Sequence, residues 1–274
     1  MRLAVVVVAL SLLSSAYAQA PATSAKEAVT MPSNFQVVEF RRYTVREGER
    51  EHFAQYFEAY FPEAFQQLGA IAFGDFTEQD VPLHFTWIRG FHDMDDRAKI
   101  NSAFYYGPVW KEHKALLNDL MTDSDNVLLL RTLRPDTQIP VLPAVDPVHE
   151  TTGAQGIVVA QIFPVKPDQV EAFAAAADSS FKSYAAAGVR EAGILVTLDA
   201  RNNFPQLPVR TDGPFLVWLG IVQDEAHLRS QLLPEIAKAA GILQSTNMLR
   251  NSAETLVLKP NPRSRLRWTS KSTF

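Results

Sequence analysis

Cysteine is absent from the chain. That excludes disulfides, thiolate nucleophiles, iron–sulfur clusters and Cys-based zinc sites. The fold must be held by its core alone. Histidine is sparse as well, six residues with no HxH or HExxH spacing, so no metal site is expected. Asp93, Asp95 and Asp96 lack the ligand spacing of a calcium loop and read as a helix start. There is no G-x-G-x-x-G, no P-loop and no G-x-S-x-G. Ser179 to Lys182 fits S-x-x-K, but it sits within a helical pattern and has no companion motifs. Excess positive charge is missing too: 26 Lys and Arg stand against 30 Asp and Glu, a formal −4. That argues against nucleic acid as a general partner.

Long apolar runs are also lacking, with one short exception. Ala4 to Leu13 is almost wholly apolar, Arg2 precedes it, and Ala16-Tyr17-Ala18 offers a small-x-small cleavage site. Residues 1–18 are therefore expected to be a signal peptide and the protein to be exported, periplasmic or secreted. The run is too short to span a bilayer, so no stable membrane anchor is expected. Residues 19–34 are small and polar and read as a disordered leader.

What is present is a βαββαβ pattern, written twice. Phe35 to Val45 is rich in β-branched and aromatic residues and predicts a strand. Glu49 to Leu68 carries Phe53, Phe57, Tyr60, Phe61, Phe65 and Leu68 at helical spacing, with Pro62 expected to kink or split the helix and Gly69 to end it. Ala70 to Phe76 and Leu83 to Phe91 predict two strands. Asp93 is a natural N-cap for the next helix, and Pro108 fits the first turn of another. Asn126 to Leu133 predicts the fourth strand.

Residues 134–154 contain four prolines and read as a linker. The pattern then restarts over residues 155–259. Gly69 and Gly74 align with Gly188 and Gly193, an offset of 119; Trp87 and Asp93 align with Trp218 and Asp224, an offset of 131. The 12-residue difference places an insertion at 199–213. Residues 260–274 form a basic tail, expected to be a frayed, solvated end, with contact to an anionic surface as the alternative.

Glu39-Phe40-Arg41-Arg42-Tyr43 is followed by Gly48, and Leu68-Gly69, Gly74, Trp87, Asp93, Asp96-Arg97 and Trp110 complete a set within residues 35–133. With these residues the stretch resembles the NIPSNAP family, whose opening reads E-L-R-x-Y…G. The second repeat departs from it, with Val159 and Gln161 for Glu39 and Arg41, and Leu228 for Arg97. The resemblance implies an α+β fold: two tandem ferredoxin-like (βαββαβ) units forming a pseudo-dimeric α/β barrel. It also implies kinship with cofactor-free monooxygenases, isomerases and haem enzymes.

Candidate site residues follow from strand alternation. If Val38 and Phe40 face the helices, then Glu39, Arg41 and Tyr43 face the barrel interior. They would form either a polar cavity floor or a structural ion pair. Phe85 and Trp87 suit the helix side, which turns His84 and Thr86 inward. Arg41 and Tyr43 would orient a substrate and His84 would handle protons. Tyr106, Trp110 and His113 are expected to line the pocket or to pack the turn. The expected partner is a small, partly apolar molecule held between the sheets. No cofactor is expected, and haem is left open. The competing class is a non-catalytic structural or interaction module with a filled barrel.

Overall fold

A computed structural model describes residues 34–269. The expected signal peptide and nearly all of the leader lie outside the described residues, as does Lys271. The first half runs β1 (Val37–Val45), α1 (Arg50–Tyr60), α2 (Pro62–Gln67), β2 (Ile71–Glu78), β3 (His84–Phe91), α3 (Met94–Tyr105), α4 (Pro108–Leu120) and β4 (Met121–Thr132). Pro62 splits the predicted helix, standing at the first turn of α2. Asp93 caps α3, its carboxylate accepting from the Asp96 N–H at 2.8 Å. The second half runs β5 (Ile157–Pro164), α5 (Val170–Ala186), β6 (Arg190–Thr197), β7 (Phe215–Val222), α6 (Glu225–His227), a π turn over Leu228–Leu232, α7 (Leu233–Ser245) and β8 (Glu254–Pro260).

The eight strands close into an antiparallel barrel in the order β1-β3-β2-β8-β5-β7-β6-β4. Two short seams join the halves. Phe76 to Glu78 pairs with Leu258 to Pro260, and Leu130 to Thr132 pairs with Leu195 to Thr197. Closure leaves none of these eight strands with an edge open along its whole length to pair with another chain. Both halves carry a register shift at the same place, ending on Gly74 in β2 and Gly193 in β6. Gly193 sits at φ +144, where a side chain would be strained.

Apolar side chains from both sheets meet in the barrel interior: Val38, Phe40, Ile88 and Leu128 from one, Val158, Ala160, Val217 and Leu256 from the other. Two further cores lie outside the barrel, one under each helix layer. This corrects the predicted orientation of β1. Val38 and Phe40 face the interior, while Val37 and Tyr43 belong to the helix-side core and Glu39 and Arg41 share their face. The prediction for β3 agrees with the structure: Phe85 and Trp87 face the helices, and Ile88 faces in.

The tail differs from the frayed end expected. Leu266 is 1% exposed and packs into the interior core. Arg263 donates to the Glu58 carbonyl, and Arg267 grips the Glu150 carboxylate at 2.6 and 2.7 Å. The linker and helix layer supply acceptors, so the basic residues dock instead of dangling. Asn261 and Ser264 also close over Asp75, with Asn261 Nδ2 donating to Asp75 Oδ1 at 2.7 Å.

Burial, and then the neighbouring Glu58, push the Asp75 carboxyl well above its ordinary range. An acid raised in this way contributes stability below its unfolded pKa of about 3.9, and loses it as pH rises through the folded value. Asp75→Asn keeps the acceptor for Asn261 and removes the titration. Its stability advantage over wild type should grow as pH rises above about 4. Thermal unfolding across a pH series checks this; a constant difference contradicts it.

Candidate functional site

The helix-side face of the first sheet holds a buried charge cluster. Antiparallel register sets Glu39 opposite Arg89, and Arg41 opposite Trp87. From α3, the capped start aims Arg97 at the same spot, with Asn101 and Phe104 along one buried face. Arg41 Nη1 donates to Glu39 Oε2 at 2.8 Å, Arg89 Nε to the same oxygen at 2.7 Å, and Arg97 Nε to Oε1 at 2.7 Å. All four side chains are at most 1% exposed.

Burial alone would raise the Glu39 carboxyl. Arg89, Arg41 and Arg97 outweigh it and hold the group far below the usual carboxylate range. Burial also works against the charge on Arg97, and here it wins, moving that guanidinium below its ordinary value. Arg89 is cushioned by ring faces, 4.6 Å from the Phe65 centroid and 4.8 Å from Trp87.

Beside the cluster lies a cavity of about 470 Å³, on the usual scale for a small-molecule site. Its floor is Arg41, Tyr43 and Trp87; its walls are Phe57 from α1, Phe65 from α2 and Phe61 between them, with Tyr105, Tyr106 and Trp110 opposite. Its roof comes from the other half of the chain: Phe204, Gln206 and Leu207 of the 199–213 insertion. Asn202 and Asn203 of that insertion accept from Arg97 Nη1 at 3.0 and 2.9 Å. Phe204 lies 6.0 Å from Tyr105 between ring centroids. Arg41 Nε donates to the Tyr43 hydroxyl at 2.8 Å. Trp87 Nε1 is buried without a hydrogen-bond partner. Burial raises the Tyr105 hydroxyl above its ordinary range, so it stays a neutral phenol.

The structure divides the predicted site residues. Arg41, Tyr43, Tyr106 and Trp110 line the cavity, and Glu39 lies just beneath it. His84 and Thr86 sit on the opposite face of the sheet, bonded to Glu78 at 3.1 and 2.9 Å. Arg42 clamps the same carboxylate through Nε and Nη2. His84 is therefore part of a hydrogen-bonded network around Glu78 and cannot reach a molecule held by Arg41. His113 hydrogen-bonds Tyr56 at 2.7 Å and stacks on Tyr60, outside the cavity lining. None of the lining residues is a histidine, the ligand the haem variant needs. Arg89 and the insertion residues escaped the sequence reading as site residues. For the insertion, the one available signal was its length.

The second half provides a built-in comparison. At the corresponding strand and helix positions, Val159, Gln161, Phe163 and Leu228 stand where the first half has Glu39, Arg41, Tyr43 and Arg97, and Gly220 where it has Arg89. Val159, Phe163 and Leu228 belong to an apolar core there, beside Trp218. A smaller cavity of about 280 Å³ lies against Gln161 and Phe163, with no charged residue in its lining.

Among solved structures, the chain is similar to a candidate monooxygenase of Fusobacterium nucleatum subsp. nucleatum, at 13% identity and TM-score 0.52, covering 86% of this chain and 99% of that one. It is similar to an anthrone oxidase-like protein at 10% identity and TM-score 0.50, covering 86% and 96%. These likenesses establish the fold. An uncharacterised NIPSNAP-like domain protein from Burkholderia xenovorans matches at 24% identity over 38% of this chain and 91% of that one, with TM-score 0.33. No curated protein sequence matches. The NIPSNAP family model matches residues 38–133, the stretch that supplies the charge cluster and most of the cavity wall. That match falls within the first half of the barrel.

Proposed function

We propose that the chain is a duplicated ferredoxin-like unit whose first copy keeps a ligand site and whose second copy serves as its partner and roof. The ligand is a small, partly apolar molecule held between sheet and helices of the first half, not between the two sheets. One observation carries this reading. An aromatic-walled cavity is floored by a buried arginine in one half, while the equivalent place in the other half is small and uncharged. A purely structural role would not require that difference, since the second half folds on the same plan without the charges.

The residues at the cavity suit binding and polarisation. Arg41 and Trp87 offer donors, and the rings offer flat apolar walls. No carboxylate or histidine lines the cavity to serve as a general base. Cofactor-independent oxidation or isomerisation, the chemistry considered for this scaffold, would thus need a substrate that arrives already activated. Export remains part of the proposal, on the strength of the N-terminal segment.

The packed barrel interior favours one point of the competing view, a non-catalytic module. The helix-side cavity is what separates the two. Native mass spectrometry of protein produced in a bacterial periplasm tests this. The expected spectrum shows a small-molecule adduct released on denaturation. The bare chain mass, with no thermal shift from a set of aromatic fragments, would leave the structural module as the answer.

A further inference from the structure

We infer that the ligand of this cavity is an aromatic oxyanion: a flat ring system bearing a carboxylate or an ionised enol or phenol oxygen. The inference rests on the reading of the cavity as a ligand site and adds the sign of the ligand's charge.

The charge count comes first. Three buried guanidinium groups surround one buried carboxylate, which leaves two positive charges without a countercharge in the cluster. A structural ion pair would be neutral, because burying unmatched charge is unfavourable. Asn202, Asn203 and the Tyr43 hydroxyl supply only dipoles. The second half removes the carboxylate and all three arginines together, so the fold itself does not demand the excess.

The free donors point the same way. Arg41 commits Nε to Tyr43 and Nη1 to Glu39. Its Nη2 is left for an occupant of the cavity it lines. Trp87, also in the lining, has an unpartnered buried Nε1. Arg89 Nη1 and Arg97 Nη2 lack hydrogen-bond partners behind them.

The rim repeats the sign. Lys111 and Lys114 of α4 line the cavity, are exposed, and no Asp or Glu joins them in the lining. A mouth of one sign raises the local concentration of the opposite ion. The missing base fits as well: a cavity that cannot deprotonate its substrate suits one that is ionised on arrival. The aromatic walls then require a flat apolar body attached to the anionic oxygen.

The test is calorimetric titration of the full-length protein with 2-naphthoate and with its neutral isostere 2-naphthamide at neutral pH. Naphthoate is expected to bind at least about tenfold more tightly. Raising sodium chloride from about 20 to about 500 mM should weaken naphthoate and leave naphthamide unaffected. Arg41→Gln, which places in β1 the residue that β5 carries at Gln161, should cut naphthoate affinity at least about tenfold and move naphthamide by less than about twofold. Equal binding of acid and amide, with no salt dependence, overturns the anion while leaving the cavity reading intact. Binding of neither overturns both. The wild-type salt series needs no variant, so a poorly folding Arg41→Gln protein does not spare the inference.

Discussion

Glu39→Gln should lower the unfolding free energy by about 3–5 kcal/mol, the cost of breaking a buried ion pair by removing one partner. For a chain of this size that is a fall in Tm of roughly 10 °C. The substitution is nearly isosteric, so packing hardly changes. What changes is that Arg41, Arg89 and Arg97 lose the one carboxylate that holds them. A second substitution should then recover stability: Arg97→Leu in the Glu39→Gln background removes one unmatched charge and installs the residue that Leu228 already supplies, 1% exposed, in the other half. Denaturant unfolding of the four members of this cycle gives the coupling directly. A near-neutral Glu39→Gln would show that water or an ion compensates the arginines, against a dry cluster. The pH dependence has a defined sign. Glu39 is held below its unfolded pKa, so its contribution is complete above about pH 4.3 and is lost as pH falls toward the folded value. Wild-type stability should decline in acid below that point, and Glu39→Gln should flatten the decline.

Much of this architecture was legible because the signals were local. Helix ends were marked by Pro62, Gly69, Asp93 and Pro108, each with its own backbone reason. The proposed duplication could be read from Trp87 and Trp218, and from glycines that stand at corresponding register shifts of β2 and β6. The face of β3 could be read because its two rows differ in bulk: Phe85, Trp87 and Phe91 against Thr86, Ile88 and Gly90. The face of β1 could not, because both of its rows mix apolar and charged residues. Val38 and Phe40 suit a helix layer as well as a barrel interior, and the charges were assigned inward by default. Register would have corrected this. Arg41 stands opposite Trp87, and directly opposed residues share a face, so a helix-side Trp87 forces a helix-side Arg41. Register is a long-range property that a single sequence does not display. The same limit hid the roof. Nothing near Asn202 says that it will meet Arg97, 105 residues earlier in the chain.

That roof carries the other large effect. The insertion contacts the first half through amide oxygens on Arg97, amide N–H groups of Asn203 and Gln206 on the Met94 carbonyl and the Tyr106 hydroxyl, Arg210 on β4, and the Phe204 ring against Tyr105 and Tyr106. Phe204 is 5% exposed although it lies in an irregular segment, and the Tyr105 and Tyr106 rings of the first half pack against it. Replacing Asn202, Asn203 and Phe204 together by Ala should open the cavity to water. The Arg97 guanidinium would then be solvated, its field at the cavity screened, and the flat ligand would lose one wall. Naphthoate affinity should fall by at least about tenfold. Stability should fall less than in Glu39→Gln, because the arginine gains water as it loses its amides. Acrylamide quenching of tryptophan fluorescence should rise, since Trp87 and Trp110 line the same cavity. Unchanged quenching with unchanged affinity would mean that the insertion merely rests on the first half. The predicted pattern, with affinity lost, stability largely kept and tryptophan exposed, would mean that the half without the charges still completes the site by covering it.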